Sequence, residues 1–482
     1  MARKRHLASL AGGAALVAAL SAGGTLYGAA RIAPCDATEL TASIGDSVPA
    51  KGPGLDRMTI VLVGDTGFNP SDAQVDAKGV HKGRGVTPFT DMTSGIAKDI
   101  DGDLAFANLE TVVTDRNDLS PQKKGGDKDA PFHFRSHPAA VKVLIDLGFN
   151  LFSLANNHAF DYGAQGIEET LYHLAVANTE RAIAYAGIGS NFDEAIKPAC
   201  LDLDGTRVAF DAIGIISGDV PQFRATDKSA GQASYRQRAD FEAVVNKLLA
   251  MPADYRILSI HYGLEGRVVP DDRQLADWRG FAAGEKGIDL IVGHHAHVAQ
   301  GVEMDGKSLI FYGMGNFLHP GTADLKRFGI CRDYGLMAKV HLARIDGAWR
   351  VEAIEAIPLD NTQAKPERLA AKDAETRIYA LNHLAAGLDD EAKGAKGVRF
   401  TPQSDGSGLY CADGAAALSG KLGTLCQNWL PAAEPMKPVA DKIAQACQDQ
   451  SFYAQPAVNK RRVPQIGRRE PSPFPFGALR QF

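Results

Sequence analysis

The histidine-rich segment that follows a short apolar run constrains this chain more than any other feature. Leu290–Val292 is typical of a buried strand, and His294, His295 and His297 follow it closely. Neutral imidazole is a common metal ligand, and the end of a buried strand holds side chains rigidly. A lone histidine here would be an ordinary polar residue, but three within four positions predict a metal site.

The same pattern recurs along the chain, because other short apolar runs also end in polar residues. These residues are Asp65 after Met58–Val63, Asn108-Leu109-Glu110 after Leu104–Ala107, Asn156-Asn157-His158 after Leu151–Ala155, His261 after Ile257–Ile260, and Tyr312–Phe317 after Leu309–Phe311. Open α/β sheets place their sites at the carboxyl ends of strands. The repetition therefore predicts one site built from several strand ends.

Predicted strands and helices alternate from Arg57 to about Leu359, which indicates an α/β fold. One helix is expected from an N-cap at Ser136 to Leu147, closed by Gly148. The expected domain boundaries are, in order, a signal peptide or membrane anchor at 1–34, a linker at 35–56, the α/β domain at 57–360, and a C-terminal extension with a basic, Pro-rich tail at 361–482.

The N-terminus has the features of an export segment. Arg3, Lys4 and Arg5 precede the uncharged stretch Leu7–Ala30. Small residues at its end offer a cleavage site, but the stretch is also long enough to span a bilayer. A cleaved signal and a retained anchor both remain open. Either predicts an exported protein, periplasmic or membrane-anchored and facing the extracytoplasmic side.

Six cysteines fit an oxidising compartment. They allow fifteen pairings, and the sequence does not choose among them. Cys411, Cys426 and Cys447 lie close together in the C-terminal part, so we expect at least one bridge there.

Two carboxylates, one amide and three imidazoles form the predicted metal set. They are Asp65, Glu110, Asn157, His261, His295 and His297. This set suffices for two divalent cations bridged by one carboxylate, and such a pair can bind both ends of a displaced group. Manganese, iron and zinc all suit these ligands.

His158 follows the predicted ligand Asn157 and is placed to give or take a proton. Asp161 is the second predicted catalytic residue, because a carboxylate can orient an imidazole through a hydrogen bond. Equally, Asp161 could cap the helix that follows it.

The ordered strand-end motifs resemble those of the calcineurin-like metallophosphoesterases. In their longer forms they resemble the CapA family, which is associated with poly-gamma-glutamate capsule synthesis and export. The resemblance covers about residues 57–345 and rests on Asp65, Asn108-Leu109-Glu110, Asn156–Gly163, His261–Glu265, Gly293–His297 and Tyr312–Phe317. It implies a four-layer α-β-β-α sandwich.

The resemblance also implies roles for single residues. The first ion would be held by Asp65 and His297, the second by Asn157, His261 and His295, with Glu110 as the bridge and His158 as the proton donor. His294 would replace His295 if the turn were wound differently.

Two residues depart from the phosphoesterase pattern. Those enzymes usually carry a histidine where this chain has Gly67, and an aspartate where it has Glu110. Both departures fit the CapA pattern, but they leave the first ion one ligand short.

Two further residues are predicted to contact substrate. Glu265 would bind an amine or sugar, or else form a loop salt bridge to Arg267. Asn316 would contact substrate or build a structural turn. His133 and His319 are taken as surface residues.

Three functions compete. The first is an exported, metal-dependent protein that cleaves or transfers a bond in a capsule polymer, with an anionic polymer or its precursor and possible membrane synthase subunits as partners. The second is a periplasmic metallophosphoesterase, and the third is a non-catalytic scaffold that binds polymer. The net charge of −5 gives no basis for a nucleic-acid partner.

Overall fold

The computed structural model describes residues 32–35, 54–122, 132–216, 221–282, 287–322 and 325–448. Most of the predicted export segment (1–31), most of the linker (36–53) and the basic tail (449–482) lie outside these residues. The strands in chain order are β1 (Ile32–Pro34), β2 (Arg57–Thr66), β3 (Val80–Lys82), β4 (Gly85–Thr87), β5 (Leu104–Leu109), β6 (Val112–Val113), β7 (Arg135–Ser136), β8 (Leu151–Ser153), β9 (Ala184–Ala186), β10 (Ile188–Gly189), β11 (Ala199–Leu203), β12 (Thr206–Gly214), β13 (Gly231–Gln232), β14 (Tyr255–His261), β15 (Leu290–His294), β16 (Val302–Asp305), β17 (Ser308–Phe311), β18 (Asn316–Leu318), β19 (Gly335–Ile345), β20 (Ala348–Asp360), β21 (Glu367–Arg368), β22 (Ala395–Gly397), β23 (Thr401–Pro402) and β24 (Gly408–Cys411).

The helices alternate with the strands. In chain order they are α1 (Phe89–Thr93), α2 (Pro138–Leu147), α3 (Gly163–Glu180), α4 (Phe192–Ala195), α5 (Arg238–Ala250), α6 (Asp272–Ala282), α7 (Ala371–Ala386), α8 (Gly420–Cys426) and α9 (Lys437–Ala446). None of the helices in the described ranges combines the length and the hydropathy needed to cross a bilayer.

Helix α2 shows how local residues set its ends. Pro138 occupies the first turn, where its missing N–H costs nothing, and Gly148 ends the helix in a left-handed conformation. The expected N-cap was wrong, because the side chain of His137 accepts the capping hydrogen bond from the Ala139 amide. The Ser136 hydroxyl instead accepts a hydrogen bond from the Phe68 amide.

Two sheets carry the fold. Among the described residues, one has eight strands in the order β1-β11-β12-β14-β15-β17-β16-β22. The other has ten, with β23-β24-β20-β19-β2-β5-β8-β9 in sequence, β18 beside β2 and β21 beside β20. The site-bearing strands β2, β5 and β8 run parallel, as do β12, β14 and β15. The α/β prediction is confirmed.

Apolar side chains pack the two sheets against each other. Phe106 of β5 meets Phe210 of β12, with ring centroids 5.9 Å apart, inside a cluster that draws on both sheets. A second cluster joins the ten-stranded sheet to α2 and α3, and a third joins the eight-stranded sheet to α5 and α6. Helices therefore cover faces that the sheets do not bury against each other.

The C-terminal extension is joined to both sheets. Strand β22 pairs with β16 in one sheet, and β24 pairs with β20 in the other. Three disulfides secure the described chain: Cys35–Cys200, Cys331–Cys447 and Cys411–Cys426. Cys411–Cys426 lies within the C-terminal part, and Cys331–Cys447 connects that part to the α/β domain. At least one bridge was expected there from the close spacing of the cysteines.

Candidate metal centre

The candidate centre lies where parallel strands of both sheets end. Asp65 at the end of β2 stands in register with Asn108 of β5, and His261 at the end of β14 stands in register with His294 of β15. These carboxyl ends meet because the sheets pack face to face. The Nδ1 atom of His294 lies 3.2 Å from Oδ1 of Asp65, across the gap between the sheets.

Two glycines permit this approach. A Cβ on Gly64 would overlap the carbonyl oxygen of Gly315, and one on Gly293 would overlap that of Tyr312. The Gly315 carbonyl also accepts a hydrogen bond from the Asp65 amide, at 3.0 Å. Backbones can come this close only where no side chain intervenes.

The histidine turn after β15 adopts an uncommon backbone. His295 has φ +82° and His297 has φ +56°, both in the left-handed region. Non-glycine residues held there cost of order 1–3 kcal/mol each, and such residues cluster at functional sites. The winding brings His294, His295 and His297 to the same centre rather than to alternate faces.

Asp65 lies at one side of the centre and is fully buried. Its Oδ2 lies 3.0 Å from Nδ1 of His297, and its Oδ1 accepts a 2.8 Å hydrogen bond from the Asn108 amide group. Oxygen and nitrogen atoms of Asp65, Glu110 and His297 come within 4.8 Å of one another. Such a group could hold one metal ion.

A second group shares Glu110 with the first. Ligand atoms of Glu110, His261 and His295 also lie within 4.8 Å of one another. His261 Nε2 is 3.4 Å from Glu110 Oε1 and 3.1 Å from His295 Nδ1. Asn157 Oδ1 approaches the same His261 nitrogen at 2.6 Å. The six residues of the predicted metal set are therefore brought together.

Glu110 is the residue around which the centre is arranged. It is fully buried, and the described residues give its oxygens no hydrogen bond of good geometry, only the nearby imidazoles of His261 at 3.4 Å and His319 at 3.3 Å. An unpaired buried carboxylate is costly unless a cation or donors compensate it. The chemistry of this donor set fits one or two divalent cations at Glu110.

The carboxylates ionise despite their burial. Burial and the charge of Glu110 oppose ionisation of Asp65, but hydrogen bonds from His294 and His297 outweigh them and hold the pKa of Asp65 well below its usual value. Burial also opposes ionisation of Glu110, yet the charges of His261 and His297 keep its pKa well below the ordinary range. Both groups are thus negatively charged near neutral pH.

The pKa values of two histidines in the turn, His295 and His297, are shifted in opposite directions. Burial, with His261 and His297 nearby, lowers the pKa of His295 well below its usual value, so its ring is neutral. Burial likewise disfavours the charged form of His297, but Glu110 and Asp65 overcome this and raise its pKa to about 10. A neutral imidazole is the form that binds a metal, so a cation bound at His297 would displace its proton.

The predicted catalytic pair lies against Glu110. His158 Nδ1 is 2.8 Å from Asp161 Oδ2, and its Nε2 is 3.9 Å from Glu110 Oε1. Asp161 also accepts a 2.6 Å hydrogen bond from the Phe134 amide. Helix α3 begins after Tyr162 with no side-chain cap. Of the two roles expected for Asp161, the geometry favours orienting His158.

Sequence reasoning missed His319 and the role of Asn108. His319 was taken as a surface residue, which is wrong, because only 2% of it is exposed and its Nε2 lies 3.3 Å from Glu110 Oε2. His133 is mostly buried too, with Nδ1 3.1 Å from Asp72. Asn108 spans Asp65 and His261 through one amide nitrogen. A histidine two positions past the last glycine-rich motif was the available signal.

The two residues predicted to contact substrate, Asn316 and Glu265, differ in burial and in their partners. Asn316 is buried, with Oδ1 2.9 Å from His297 Nδ1, and its amide nitrogen donates to the Thr322 hydroxyl. Glu265 is half-buried and its charge helps to raise the pKa of His297, so it lies near the centre. Their contact with substrate stays a prediction.

The fold and the centre define an α/β protein with a histidine–carboxylate site at its strand ends. A protein-family model described as the bacterial capsule synthesis protein PGA_cap matches residues 59–320, more than half of the 482 residues. The chain belongs to this family, which confirms the resemblance stated above.

Curated relatives carry related names. "PGA biosynthesis protein CapA" of Bacillus subtilis is 31% identical over 253 residues, which cover 52% of this chain and 61% of that protein. "Capsule biosynthesis protein CapA" of Bacillus anthracis is 27% identical over 263 residues, or 54% of this chain and 60% of that protein. The chain thus spans about six-tenths of the length of these relatives.

Among solved structures, the calcineurin-like phosphoesterase YfkN from Bacillus subtilis is similar at 14% identity with a TM-score of 0.35. The match covers 68% of this chain and 97% of that one.

Proposed function

We propose that this chain is an exported, metal-dependent protein of capsule polymer synthesis or export, and that it cleaves or transfers a polymer bond at its strand-end centre. The observation that carries the proposal is Glu110, a fully buried carboxylate that only imidazoles approach in the described chain and that two groups of metal-ligating residues share. A stability role alone does not account for so costly a group.

The ligand assignment follows the two groups. Asp65 and His297 would hold one divalent cation, and His261, His295 and Asn157 the other, with Glu110 between them. Manganese, iron or zinc suits this mixture of imidazole and oxygen ligands. When bound, such cations polarise a substrate carbonyl or phosphoryl oxygen and stabilise the charge that develops on it.

His158 supplies the proton transfer. Asp161 holds its Nδ1–H, so Nε2 faces the centre beside Glu110. From there Nε2 can give a proton to the leaving group, or take one from the attacking group. The Phe134 ring, 4.4 Å from the His158 ring, excludes water from one side of this imidazole.

Export is supported by the cysteines and the N-terminal sequence. Disulfides persist in oxidising compartments, and all six cysteines pair in three bridges. Cleavage after Ala30 would keep β1 and the Cys35–Cys200 bridge in the mature protein. A retained anchor would keep them equally.

The substrate class follows the names of the family and of the Bacillus relatives, which point to an anionic polymer of the poly-gamma-glutamate type or its precursor. Membrane synthase subunits are the proposed protein partners. Three arginines near the motifs do not provide free carboxylate-binding groups, because Asp240 pairs with Arg224, and Asp277 with Arg238 and Arg273.

A metallophosphoesterase is the second candidate. Two ligand groups that share one carboxylate, beside a buried His–Asp pair, suit a phosphate ester as well as a polymer bond. The two candidates differ in substrate rather than in the machinery of the centre.

The test uses purified full chain loaded with manganese, iron or zinc, beside the His158→Asn variant. We expect poly-gamma-glutamate to be shortened or transferred to an amine by the parent and not by the variant. Turnover of phosphate esters alone would favour the second candidate. No turnover of either substrate, together with unchanged capsule output from cells that carry His158→Asn, would favour the non-catalytic scaffold that binds polymer.

A further inference from the structure

His319 is a buried imidazole without an evident structural reason. It is 2% exposed, and within the described chain neither ring nitrogen makes a hydrogen bond of good geometry, the nearest acceptor being a Glu110 oxygen 3.3 Å from Nε2. Buried polar groups are nearly always hydrogen-bonded, and an exception calls for an explanation such as an ion. A buried imidazole without a well-formed hydrogen bond costs free energy.

The ring of His319 faces the centre. Its Nε2 lies 3.3 Å from Glu110 Oε2, and its centroid lies 5.5 Å from that of His297. The Phe134 ring packs edge-on against it at 5.0 Å. This aromatic contact fixes the plane of the imidazole and keeps Nε2 directed to the carboxylate.

The backbone next to His319 is hydrogen-bonded to the strand that contains Asp65. Strand β18 pairs with β2, with Asn316 opposite Asp65 and Leu318 opposite Thr66. The Gly67 amide donates to the Leu318 carbonyl at 2.7 Å, and the His319 amide to that of Thr362 at 2.7 Å. The backbone of His319 therefore lies beside that of Gly67, the position where the phosphoesterase pattern has a histidine and this chain has no side chain.

The first ligand group is incomplete without a further donor. Asp65, Glu110 and His297 offer three ligands, and a divalent cation there has at least one further position, which a side chain or water can fill. We propose that His319 is the additional protein ligand of this first cation, an inference that rests on the proposed metal centre. Its Nε2 already adjoins Glu110, and a small movement of the ring towards Asp65 and His297 would give the cation two carboxylate and two imidazole ligands.

The experiment measures metal bound per full-length chain, by elemental analysis after equilibration with buffered manganese or zinc. We expect the parent to bind two ions and His319→Gln to bind one, or to bind the weaker ion at least tenfold less tightly. His341→Gln is the matched control, because His341 is also buried and pairs with a glutamate, Glu355, at 2.8 Å, away from the centre.

Chemical rescue separates a ligand from a neighbour that only orients one. His319→Gly should lose the same ion and regain it when imidazole is added, because free imidazole can occupy the space left by the ring. Two ions at parental affinity in both His319→Gln and His319→Gly would overturn the assignment. No ions in the folded parent would instead overturn the metal centre itself.

Discussion

His294 Nδ1 lies 3.2 Å from Asp65 Oδ1, although the two residues end strands of different sheets. The contact requires β2 and β15 to finish at the same level on facing sheets. The ring of Phe106 packs 5.4 Å from that of His294 just below this contact. The core that holds the sheets together therefore also sets the spacing of the ligands.

Gly64→Ala tests this dependence of the centre on close backbone approach. The new Cβ would overlap the Gly315 carbonyl, so we expect a loss of about 1–3 kcal/mol of unfolding free energy or more, together with weaker metal binding. Gly280→Ala is the control, because its Cβ would meet nothing in the exposed part of α6. It should be neutral or stabilising by up to about 1 kcal/mol. Chemical denaturation measures both, and equal stabilities would contradict the packing argument.

Metal should stabilise the fold through Glu110. A cation that binds only the native state raises stability by about 2.7 kcal/mol at a hundred times its dissociation constant. We expect the Tm of the parent to rise with added manganese or zinc, and that of Glu110→Gln to stay nearly constant. Glu169→Gln serves as the control, because Glu169 belongs to a separate and more exposed cluster of possible ligands, with Asp115 and His173. We expect this variant to keep the rise in Tm. An equal rise in the Tm of Glu110→Gln would show that Glu110 does not bind the metal.

The His158–Asp161 pair should separate proton transfer from metal binding. His158→Asn is expected to lower polymer turnover by about 10²–10⁴-fold, the usual contribution of general acid–base catalysis. Asp161→Asn should have a smaller effect, because it removes only the group that orients the ring. Both variants should keep the parental metal content. Loss of metal in either would mean that the pair supports the ligands rather than the reaction.

Asp289 predicts a pH dependence of stability away from the centre. Burial raises its pKa to about 6, so the folded state prefers the protonated form. The resulting stability is fully present below the unfolded value of 3.8 and is lost as the pH rises through about 6. Asp289→Asn should therefore be more stable than the parent at pH 7, by at most about 3 kcal/mol, and the difference should shrink towards pH 4.

The side chain of Asp289 accepts a hydrogen bond from the Arg256 amide at 2.8 Å, and an asparagine oxygen can do the same. Asp146→Asn, on the exposed face of α2, is the control without such burial. Denaturation at pH 4, 5.5 and 7 measures the trend. A constant difference across this range would show that the Asp289 carboxyl is not perturbed.

The sequence could predict the strand-end residues because each follows a short apolar run in its own segment. Asp65, Glu110 and His261 needed only local patterns and the rule for parallel sheets. His319 could not be found this way, because its burial depends on β18 pairing with β2, some 250 residues earlier. The pairing of Cys35 with Cys200 is equally remote, at a sequence separation of 165.

Helix boundaries were limited by competition between neighbouring polar side chains. Ser136 and His137 can both cap α2, but the hydroxyl of Ser136 is engaged by Phe68 and Thr111. Only the tertiary contacts decide which residue is left to cap the helix. The same holds for Asp161, whose choice of His158 over α3 depends on how the strand ends meet.

The most direct test of the metal centre is elemental analysis of the full-length protein beside a variant that carries both His295→Ala and His297→Ala. Each ligand group loses one imidazole in this variant. We predict near-stoichiometric manganese, iron or zinc in the parent and almost none in the folded double variant. Equal metal in both proteins, or none in the folded parent, would contradict the account.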